Sequence, residues 1–427
     1  MPSVGVLVEL AGGPLAGGHV KCWERFAGAA ASIDPADLGI DLTVYLLGRR
    51  EEARHLSPAV RIVTLRPILG NRTLARHLGG VDATDLTPHH PRLATLLPRH
   101  DVWHLTHAFG FAATAARLAR RHPDRRLTAS LHTDVPVLTT AYVDQIIRAA
   151  APLGPHPAHH DAGSPLARLA GHLARRRRDR FLRLCDTVLV ATEDERAEIA
   201  RLVGPDRVAL LGRGIDTRRF PTVTNRTAPA APPHPGRFVV LFVGRVDASK
   251  RVMLLGEAVR MLRATGRPVE LVVAGSGAQQ AALARLLGES VTLLGQIPQE
   301  ELAATYAGAD VLAFPSRSET AGNVVAEAMA CGLPVLLPAG ARTTAWFARP
   351  GTDGIAVAPD TPAGWATELA RLIDDPARHR AVAAEAAHTS RTRHRTWQQV
   401  LAEDLLPVWT TRTRRPATPS GQLRHTG

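Results

Sequence analysis

The sequence predicts two α/β domains, each built on a doubly wound parallel sheet, that face each other across a cleft. Continuous apolar runs of strand length alternate with amphipathic helical stretches, which is the pattern of parallel strands covered by helices on both faces. This alternation stops in a segment rich in proline and alanine, residues 224–237, and then restarts. A chain of 427 residues is also long for one core, because chains above about 250–300 residues usually divide into domains.

The order of the elements follows from the same patterns. Strands are predicted at residues 4–9, 42–47, 61–65, 102–106, 127–132, 187–191 and 208–211, and then at 238–243, 269–274, 291–294, 311–314, 334–337 and 355–357. We therefore expect a first domain over residues 1–223, a linker over 224–237 and a second domain over 238–395. A final helix over 396–410 and a disordered basic tail over 411–427 complete the chain.

The charge balance is strongly basic, with a formal net charge of +13. Such a field attracts phosphorylated metabolites or an anionic membrane surface, although a solvated surface and a charged tail account for most of the excess. No nucleic-acid-binding motif or interleaved aromatic stripe accompanies the basic residues, so we expect no nucleic-acid partner.

The three cysteines are far apart and form no CxxC pair, which argues against a disulfide framework and against a zinc site. The sequence shows neither a signal peptide nor an apolar run of about 18 residues, the minimum for a spanning helix. We expect a cytoplasmic protein, with the inner face of the membrane as a candidate peripheral contact.

The most informative segment reads SETAGNVVAEAMACGLPVLLP and spans residues 318–338. A predicted strand ends just before it, and Asn323 is expected to cap the helix that carries Glu327. Gly322 would let a ligand approach the backbone closely, and the free amides of the first helical turn suit a diphosphate. Glu319 and Glu327 would face the same elongated ligand, and a carboxylate suits a vicinal diol because each oxygen accepts from one hydroxyl.

A second segment, LFVGRVDASKR at residues 241–251, places Gly244 at the end of a buried strand. Arg245 and Lys250 follow on one tight loop, so two cations can grip one diphosphate. Such a pair of cations can stabilise the charge that develops on a departing diphosphate.

The two glutamates, spaced by seven residues and followed by AMACGLPV, resemble the retaining GT-B glycosyltransferases of family 4, also called group 1. The resemblance implies GT-B architecture, that is, two Rossmann-like domains with the acceptor bound by the first and the nucleotide sugar by the second. It implies that Glu327 holds the ribose of the nucleotide and that Glu319 binds hydroxyls of the donor sugar. The Arg245 and Lys250 spacing is similar to the cationic pair of that family.

The resemblance also assigns weaker sites: a glycine loop before the first helix, a histidine at a strand end that contacts the donor sugar, and a nucleotide wall in the second domain. The candidate catalytic residues are then Arg245, Lys250, Glu319 and His132. The candidate donor-binding residues are Gly17, Gly18, Gly244, Gly275, Gly277, Ile297, Gly322, Asn323, Val324 and Glu327.

The segment GRGIDTRRF resembles the family's sequence just before the linker. Gly214 is expected to supply a positive-φ turn, Asp216 to cap a turn and Arg213 to be a candidate for facing the cleft. In relatives the last helix crosses back onto the first domain, with Trp397 as the expected anchor. One departure is the loop ETAGN, where relatives commonly have an EGFG-type loop.

The implied activity is the transfer of a hexosyl group from a nucleotide-diphosphate sugar to a hydroxyl of a glycolipid, saccharide or natural product, with neither a metal nor a cofactor. The alternatives are a nucleotide-sugar epimerase or another GT-B enzyme, or a non-catalytic nucleotide-binding homologue. A phosphorylase would need a cofactor-binding lysine, and the chain has only Lys21 and Lys250. Acceptor contacts are expected from residues 68–87 and 153–166, where the sequence is least informative.

Overall fold

The computed structural model describes residues 1–13, 16–70, 84–85, 87–132, 134–150, 164–222, 236–317, 319 and 322–411. The described chain forms two sheets, the first from residues 3–210 and the second from residues 238–357. Outside the described residues lie residues 224–235 of the predicted linker at 224–237, the tail beyond residue 411, and most of the two expected acceptor segments.

The first sheet has eight strands in the order β3-β4-β2-β1-β5-β6-β7-β8. They are β1 Ser3–Ala11, β2 Asp41–Leu47, β3 Glu52–Ser57, β4 Val60–Leu65, β5 Val102–Leu105, β6 Arg126–Ser130, β7 Thr187–Val190 and β8 Val208–Leu210. All neighbouring strands are parallel except β3, which pairs antiparallel with β4. The strand order reverses direction between β1 and β5, and this switch point is where a doubly wound sheet binds ligands.

The second sheet has six parallel strands in the order β11-β10-β9-β12-β13-β14. They are β9 Phe238–Val243, β10 Val269–Ala274, β11 Val291–Gly295, β12 Val311–Ala313, β13 Val335–Pro338 and β14 Ile355–Val357. Its switch point lies between β9 and β12, which places the loops after these two strands side by side.

Helices cover both sheets. Those of the first half are α1 Gly18–Ala31, α2 Pro35–Leu38, α3 Pro91–Leu96, α4 Gly110–Ala119, α5 Val135–Ala150, α6 Pro165–Leu184 and α7 Glu193–Val203. Those of the second half are α8 Val252–Ala264, α9 Gln280–Leu287, α10 Leu302–Ala307, α11 Asn323–Ala330, α12 Pro362–Ile373 and α13 Pro376–Arg393. A last helical segment runs through α14 Trp397–Val400, a wider π-type turn at Leu401–Leu405 and α15 Leu406–Thr410.

The last helical segment belongs to the core of the first sheet, although it follows the second sheet in sequence. Trp397 and Trp409 are buried against Trp23 and Phe26 of α1, together with Val4, Val6 and Val8 of β1. A capping box at Thr396 begins this segment, since its hydroxyl accepts from the Gln399 amide and the Gln399 side chain accepts from the Thr396 amide. The chain therefore crosses back to the first sheet at this helix.

The two crossings between the sheets lie against each other. Ile215 bridges to Thr396, and its amide donates to the carbonyl of Arg395 at 3.0 Å. A Cβ added to Gly214 would lie 2.4 Å from the backbone nitrogen of Trp397, so a side chain at 214 would separate the two segments. The expected positive φ at Gly214 is not found, because the glycines with positive φ do not include it. The requirement for glycine is therefore this close approach.

The architecture confirms the predicted fold class of two parallel-sheet α/β domains. The sequence prediction missed β3, whose side chains are mostly exposed and give no apolar signal. Its antiparallel pairing to β4 follows from a two-residue connection, which is too short for a parallel crossover.

Candidate active site

The loops after β9 and β12 meet at the switch point of the second sheet. Gly244 directly follows β9 with a φ of 150°, and its amide donates to the Ala274 carbonyl at the end of β10. A Cβ on Gly275 would lie 1.8 Å from the Gly244 carbonyl oxygen, and one on Gly277 would lie 2.4 Å from the Val246 carbonyl oxygen. Packing of the loop after β10 against the loop after β9 thus requires glycine at 275 and 277. The expected contact of these two glycines with the nucleotide stays a prediction.

Two charged residues of the candidate site pair across this switch point. Lys250, at the end of a 3-10 turn that Asp247 caps, contacts Glu319 with an Nζ–Oε1 distance of 2.5 Å. Glu319 follows β12, so the pair joins the two loops on either side of the switch point. Arg245 is more exposed and lies 3.4 Å from Asp247, measured from Nε to Oδ2. The structure thus brings Lys250 directly to Glu319, while Arg245 stands on the same loop.

Helix α11 begins one residue earlier than expected, so Asn323 is not its N-cap. Gly322 occupies the cap position with φ 63° and ψ 62°, and no side chain caps the helix. Within the part of the chain that the structure describes, the Asn323 side-chain oxygen is buried and has no hydrogen-bond partner. Since the first turn of α11 carries no acidic side chain, its amides and helix dipole favour an anion. Val324 and Ile297 pack on the edge of the second core.

Glu327 is the most enclosed acid of the candidate site, with 3% of its side chain exposed. Its Oε1 lies 2.5 Å from Nη2 of Arg25 on α1, and its Oε2 accepts a hydrogen bond of 2.9 Å from the Tyr306 hydroxyl. Burial, followed by the negative charge of Glu327, raises the pKa of Tyr306 well above its usual value and raises the pKa of Cys331 to about 12. The carboxylate is therefore held between one cation and one neutral donor.

The first domain contributes the N-terminus of α1. Gly17 stands at the cap position with extended backbone, and no acidic residue lies in the first turn. A Cβ on Gly18 would meet no atom within 4 Å, and its φ is not positive. Neither packing nor backbone strain therefore requires glycine at 18, which fits the expected approach of a ligand.

His132 follows β6 and lies in a chain of hydrogen bonds. Its Nδ1 is 2.7 Å from Nη2 of Arg213, and its Nε2 is 2.7 Å from the Ser130 hydroxyl. Ser130 also contacts Nε2 of His104 at 2.8 Å, and His104 Nδ1 contacts the Thr128 hydroxyl at 2.8 Å. Arginine only donates, so Nδ1 of His132 accepts and a neutral ring carries its proton on Nε2. Both nitrogens of His132 thus face protein groups, and Arg213 stands beside it.

The surrounding histidines stack on one another. The His19 ring lies 4.4 Å from both His107 and His132, measured between centroids. Burial lowers the pKa of His107 to about 4 and that of His104 to about 3, and it lowers the pKa of His19 and His132 well below the usual value. Among the described residues, neither ring nitrogen of His19 or His107 has a hydrogen-bond partner. The cluster is therefore neutral at physiological pH.

Sequence reasoning missed a buried acid at the end of β1. Glu9 has a φ of 57°, unusual for a residue other than glycine, and its Oε1 accepts a 2.7 Å hydrogen bond from the Phe111 amide of α4. Burial raises the pKa of Glu9 to about 8, against the opposing effect of the backbone amides of α4. The same reasoning missed Arg25 and Tyr306, whose contacts with Glu327 span 302 and 21 positions in sequence.

Within the described ranges, no group of three or more His, Cys, Asp or Glu side chains is arranged to hold a metal ion. Likewise, no helix of the described chain combines the length and apolar character needed to cross a membrane.

Two parallel-sheet domains with switch-point loops turned to a common cleft define the GT-B class of glycosyltransferases. Two family models match the chain: that of the group 1 glycosyl transferases over residues 237–375, and that of glycosyltransferase family 4 over residues 34–219. The protein belongs to this family of glycosyltransferases.

Relatives with known names support the family at moderate identity. D-inositol 3-phosphate glycosyltransferase 2 of Catenulispora acidiphila is 31% identical over 372 residues, which cover 80% of each chain. D-inositol 3-phosphate glycosyltransferase of Thermobispora bispora is 30% identical over 395 residues, which cover 83% of each chain.

Solved structures share the fold at lower identity. Sucrose-phosphate synthase of Thermosynechococcus elongatus superimposes with a TM-score of 0.66 at 21% identity, covering 94% of this chain and 97% of its own. HepE of Anabaena, solved in complex with UDP-glucose, has a TM-score of 0.63 at 16% identity, covering 94% and 99% of the two chains. These neighbours confirm the GT-B architecture.

Proposed function

We propose that this glycosyltransferase moves a hexosyl group from a nucleotide-diphosphate sugar to an acceptor hydroxyl, with retention of anomeric configuration and without a metal ion. The contact between Lys250 and Glu319 at the switch point carries the proposal. In this proposal Lys250 binds the diphosphate and Glu319 binds sugar hydroxyls, and the pair lies just before the uncapped N-terminus of α11. A nucleotide sugar needs these two kinds of group side by side.

In the proposed reaction, the bond between the sugar C1 and the diphosphate oxygen breaks as the acceptor oxygen bonds to C1 from the same face. Lys250, Arg245 and the first amides of α11 stabilise the charge that develops on the departing diphosphate. The acceptor proton passes to an oxygen of that phosphate. Glu319 orients the sugar, and Glu327 binds the ribose diol.

In this proposal the first domain forms one wall of the site for the transferred sugar. The dipole of α1 favours an anion at its N-terminus, where Gly17 and Gly18 lie. His132 and Arg213 form a pair in which the neutral ring accepts from the guanidinium, and a second guanidinium nitrogen donates to the Gly212 carbonyl. We assign the other guanidinium N–H groups to the substrate. The sugar contact expected of His132 is then shared with Arg213.

A groove in the first domain supports an anionic acceptor. It has a volume of about 560 Å³ and is lined by Arg49, Arg50 and Arg54, with Glu24 and Glu52 also at its wall. The groove adjoins Gly12 and Gly13, which follow β1 and precede the glycine loop in sequence. Named relatives act, by their names, on D-inositol 3-phosphate. We therefore propose a phosphorylated polyol as the acceptor class. We also propose that the same arginines can contact an anionic membrane surface.

The donor is identified by incubating the full chain with UDP-, GDP-, ADP- and TDP-sugars and measuring the shift of the melting temperature. The best donor is then incubated with inositol phosphates and with glycerol phosphate, and the products are analysed by mass spectrometry. Proton NMR of the anomeric position reports retention or inversion, and excess EDTA tests the need for a metal. Hydrolysis without transfer to any acceptor, or epimerised donor, would contradict the proposal.

A matched set of variants tests the site itself. Arg245→Ala and Glu319→Gln should each abolish most transfer while the protein stays folded. Arg260→Ala is the control, because this residue pairs with Glu257 on the outer face of α8. Transfer that survives in both site variants would show that the reaction occurs elsewhere.

A further inference from the structure

Arg25 and Glu327 form an ion pair between the two domains. Arg25 lies on α1 of the first domain and Glu327 on α11 of the second, and their Nη2–Oε1 distance is 2.5 Å. The side chains are 10% and 3% exposed, respectively, so the pair is almost fully shielded from water. The family resemblance assigns the ribose to Glu327 and assigns nothing to Arg25.

The two partners of the Glu327 carboxylate do not use all of its hydrogen-bond acceptor positions. An ionised carboxylate offers about four acceptor positions on its two oxygens. Arg25 occupies one position on Oε1, and the Tyr306 hydroxyl occupies one on Oε2. About one position remains on each oxygen, which matches the two hydroxyl donors of a ribose diol.

In the same environment Arg25 is the counter-charge of Glu327. An ionised carboxylate buried without a counter-charge is strongly disfavoured, whereas a buried carboxylate beside a guanidinium is tolerated. Arginine stays protonated, so its charge is permanent. Tyr306 is neutral, since burial and the charge of Glu327 raise its pKa well above the usual value. Among the described neighbours that contact Glu327, Arg25 alone supplies a positive charge.

Arg25 is itself held at the point where the chain passes between the domains. Its guanidinium lies 5.6 Å from the centroid of the Trp397 ring, within range of a cation–π contact. Trp397 packs edge-on against Phe26, and its backbone abuts Gly214 at the other crossing. These contacts hold the guanidinium on the first domain, so its distance from Glu327 on the second domain depends on how the two domains are arranged.

We propose that Arg25 is a positioning residue that completes the ribose site from the opposite domain. Glu327 then recognises the ribose hydroxyls only while the two domains are together, which couples nucleotide recognition to closure of the cleft. This inference rests on the proposed function, in which Glu327 binds ribose.

The test compares nucleotides with and without the 2′-hydroxyl. The full chain is titrated by calorimetry with UDP, GDP, ADP and CDP, and the tightest binder is paired with its 2′-deoxy counterpart. The parent protein should prefer the ribonucleotide by roughly 10-fold, the worth of one hydrogen bond to a charged group. In Arg25→Met, the ribonucleotide should bind roughly 10-fold more weakly and the deoxynucleotide should lose less, so the preference approaches one.

Three further variants separate positioning from a loss of structure. Arg342→Gln breaks a second ion pair between the domains, with Glu195 at 2.6 Å, and should keep the ribose preference. Arg25→Lys retains the charge but not the planar fork, and should give an intermediate ribose preference. It replaces Arg25→Met in the test if that variant melts too low to titrate. In a Glu327→Gln background, Arg25→Met should change the affinity little, because the two residues act as one unit.

Each result counts for or against the inference. Unchanged ribose preference in Arg25→Met would overturn it, and so would tighter nucleotide binding, because Arg25 would then compete with ribose for Glu327. Equal weakening by Arg25→Met in the parent and in the Glu327→Gln background would also overturn it. If the parent protein binds none of the four nucleotides, the proposed function itself fails, which is a distinct outcome.

Discussion

Replacing Gly322 with alanine tests whether the backbone at the start of α11 is set by the site. Gly322 has a φ of 63°, and a Cβ there would lie 2.6 Å from the Cγ2 methyl of buried Thr343. The left-handed backbone costs a residue with a side chain about 1–2 kcal/mol. Crowding a packed methyl adds about 1–3 kcal/mol. Gly322→Ala should therefore lower the free energy of unfolding by about 2–5 kcal/mol.

The chain offers a matched control for each part of this cost. Gly340 has a φ of 73° and no atom within 4 Å of a Cβ, so Gly340→Ala should lose only about 1–2 kcal/mol. Thr343→Ser removes the obstructing methyl, and the double variant Gly322→Ala/Thr343→Ser should recover part of the loss. Urea unfolding of the parent and these four variants measures the differences.

Activity should follow the same order. A displaced helix N-terminus misplaces the diphosphate, and an error of about 1 Å can reduce the rate about 100-fold. We expect kcat/KM for the donor to fall by about 10- to 100-fold in Gly322→Ala and to stay near the parent value in Gly340→Ala. Equal losses of stability in the two alanine variants, or no recovery with Thr343→Ser, would refute the steric reasoning.

Three other predictions follow from charged and titratable groups. Lys250→Met removes the cation that contacts Glu319 and should lower kcat/KM for the donor by about 100-fold. Arg260→Met serves as the surface control, and equal kinetics of the two variants would contradict this prediction. Burial lowers the pKa of His107 from 6.5 to about 4, so its contribution to stability is full above about pH 6.5 and is lost as the pH falls towards 4. In His107→Phe the free energy of unfolding should therefore fall less steeply with falling pH than in the parent, by up to about 1.4 kcal/mol per pH unit. The same slope in both proteins between pH 6.5 and 5 would count against this prediction. Glu9 has the opposite sign, because its pKa is raised from 4.5 to about 8 and its contribution to stability is lost as the pH rises through that range. Glu9→Gln should gain stability over the parent between pH 6 and 8 by about 1.4 kcal/mol per pH unit, which urea unfolding at several pH values measures.

The parts of the fold that local patterns encode could be predicted from the sequence. Buried parallel strands are continuous apolar runs, and this signal located thirteen of the fourteen strands in the described chain. The exception, β3, is an edge strand whose polar side chains carry no such run. Asn323 is a frequent cap residue, yet Gly322 takes the cap position because the chain turns there through a left-handed conformation beside Thr343.

The candidate site likewise has residues that the sequence predicts and residues that only the three-dimensional arrangement shows. Lys250 and Glu319 stand on loops after adjacent strands, and the topology of a doubly wound sheet brings such loops together. Arg25 appears in the sequence as one more charge on an amphipathic helix, and only the three-dimensional arrangement shows that it contacts Glu327. Arg213 is similar, because its contact with His132 joins two segments that are 81 positions apart.

The helical segment at 397–410 also constrains the order in which the protein can be assembled. Trp397, Leu401 and Trp409 fill the face of the first sheet that α1 also covers, yet they are synthesised after the whole second domain. A growing chain on the ribosome folds its domains in order of synthesis where it can. Here the first domain to emerge is the last to be completed, and until then Trp23 and Phe26 lack the aromatic side chains that enclose them.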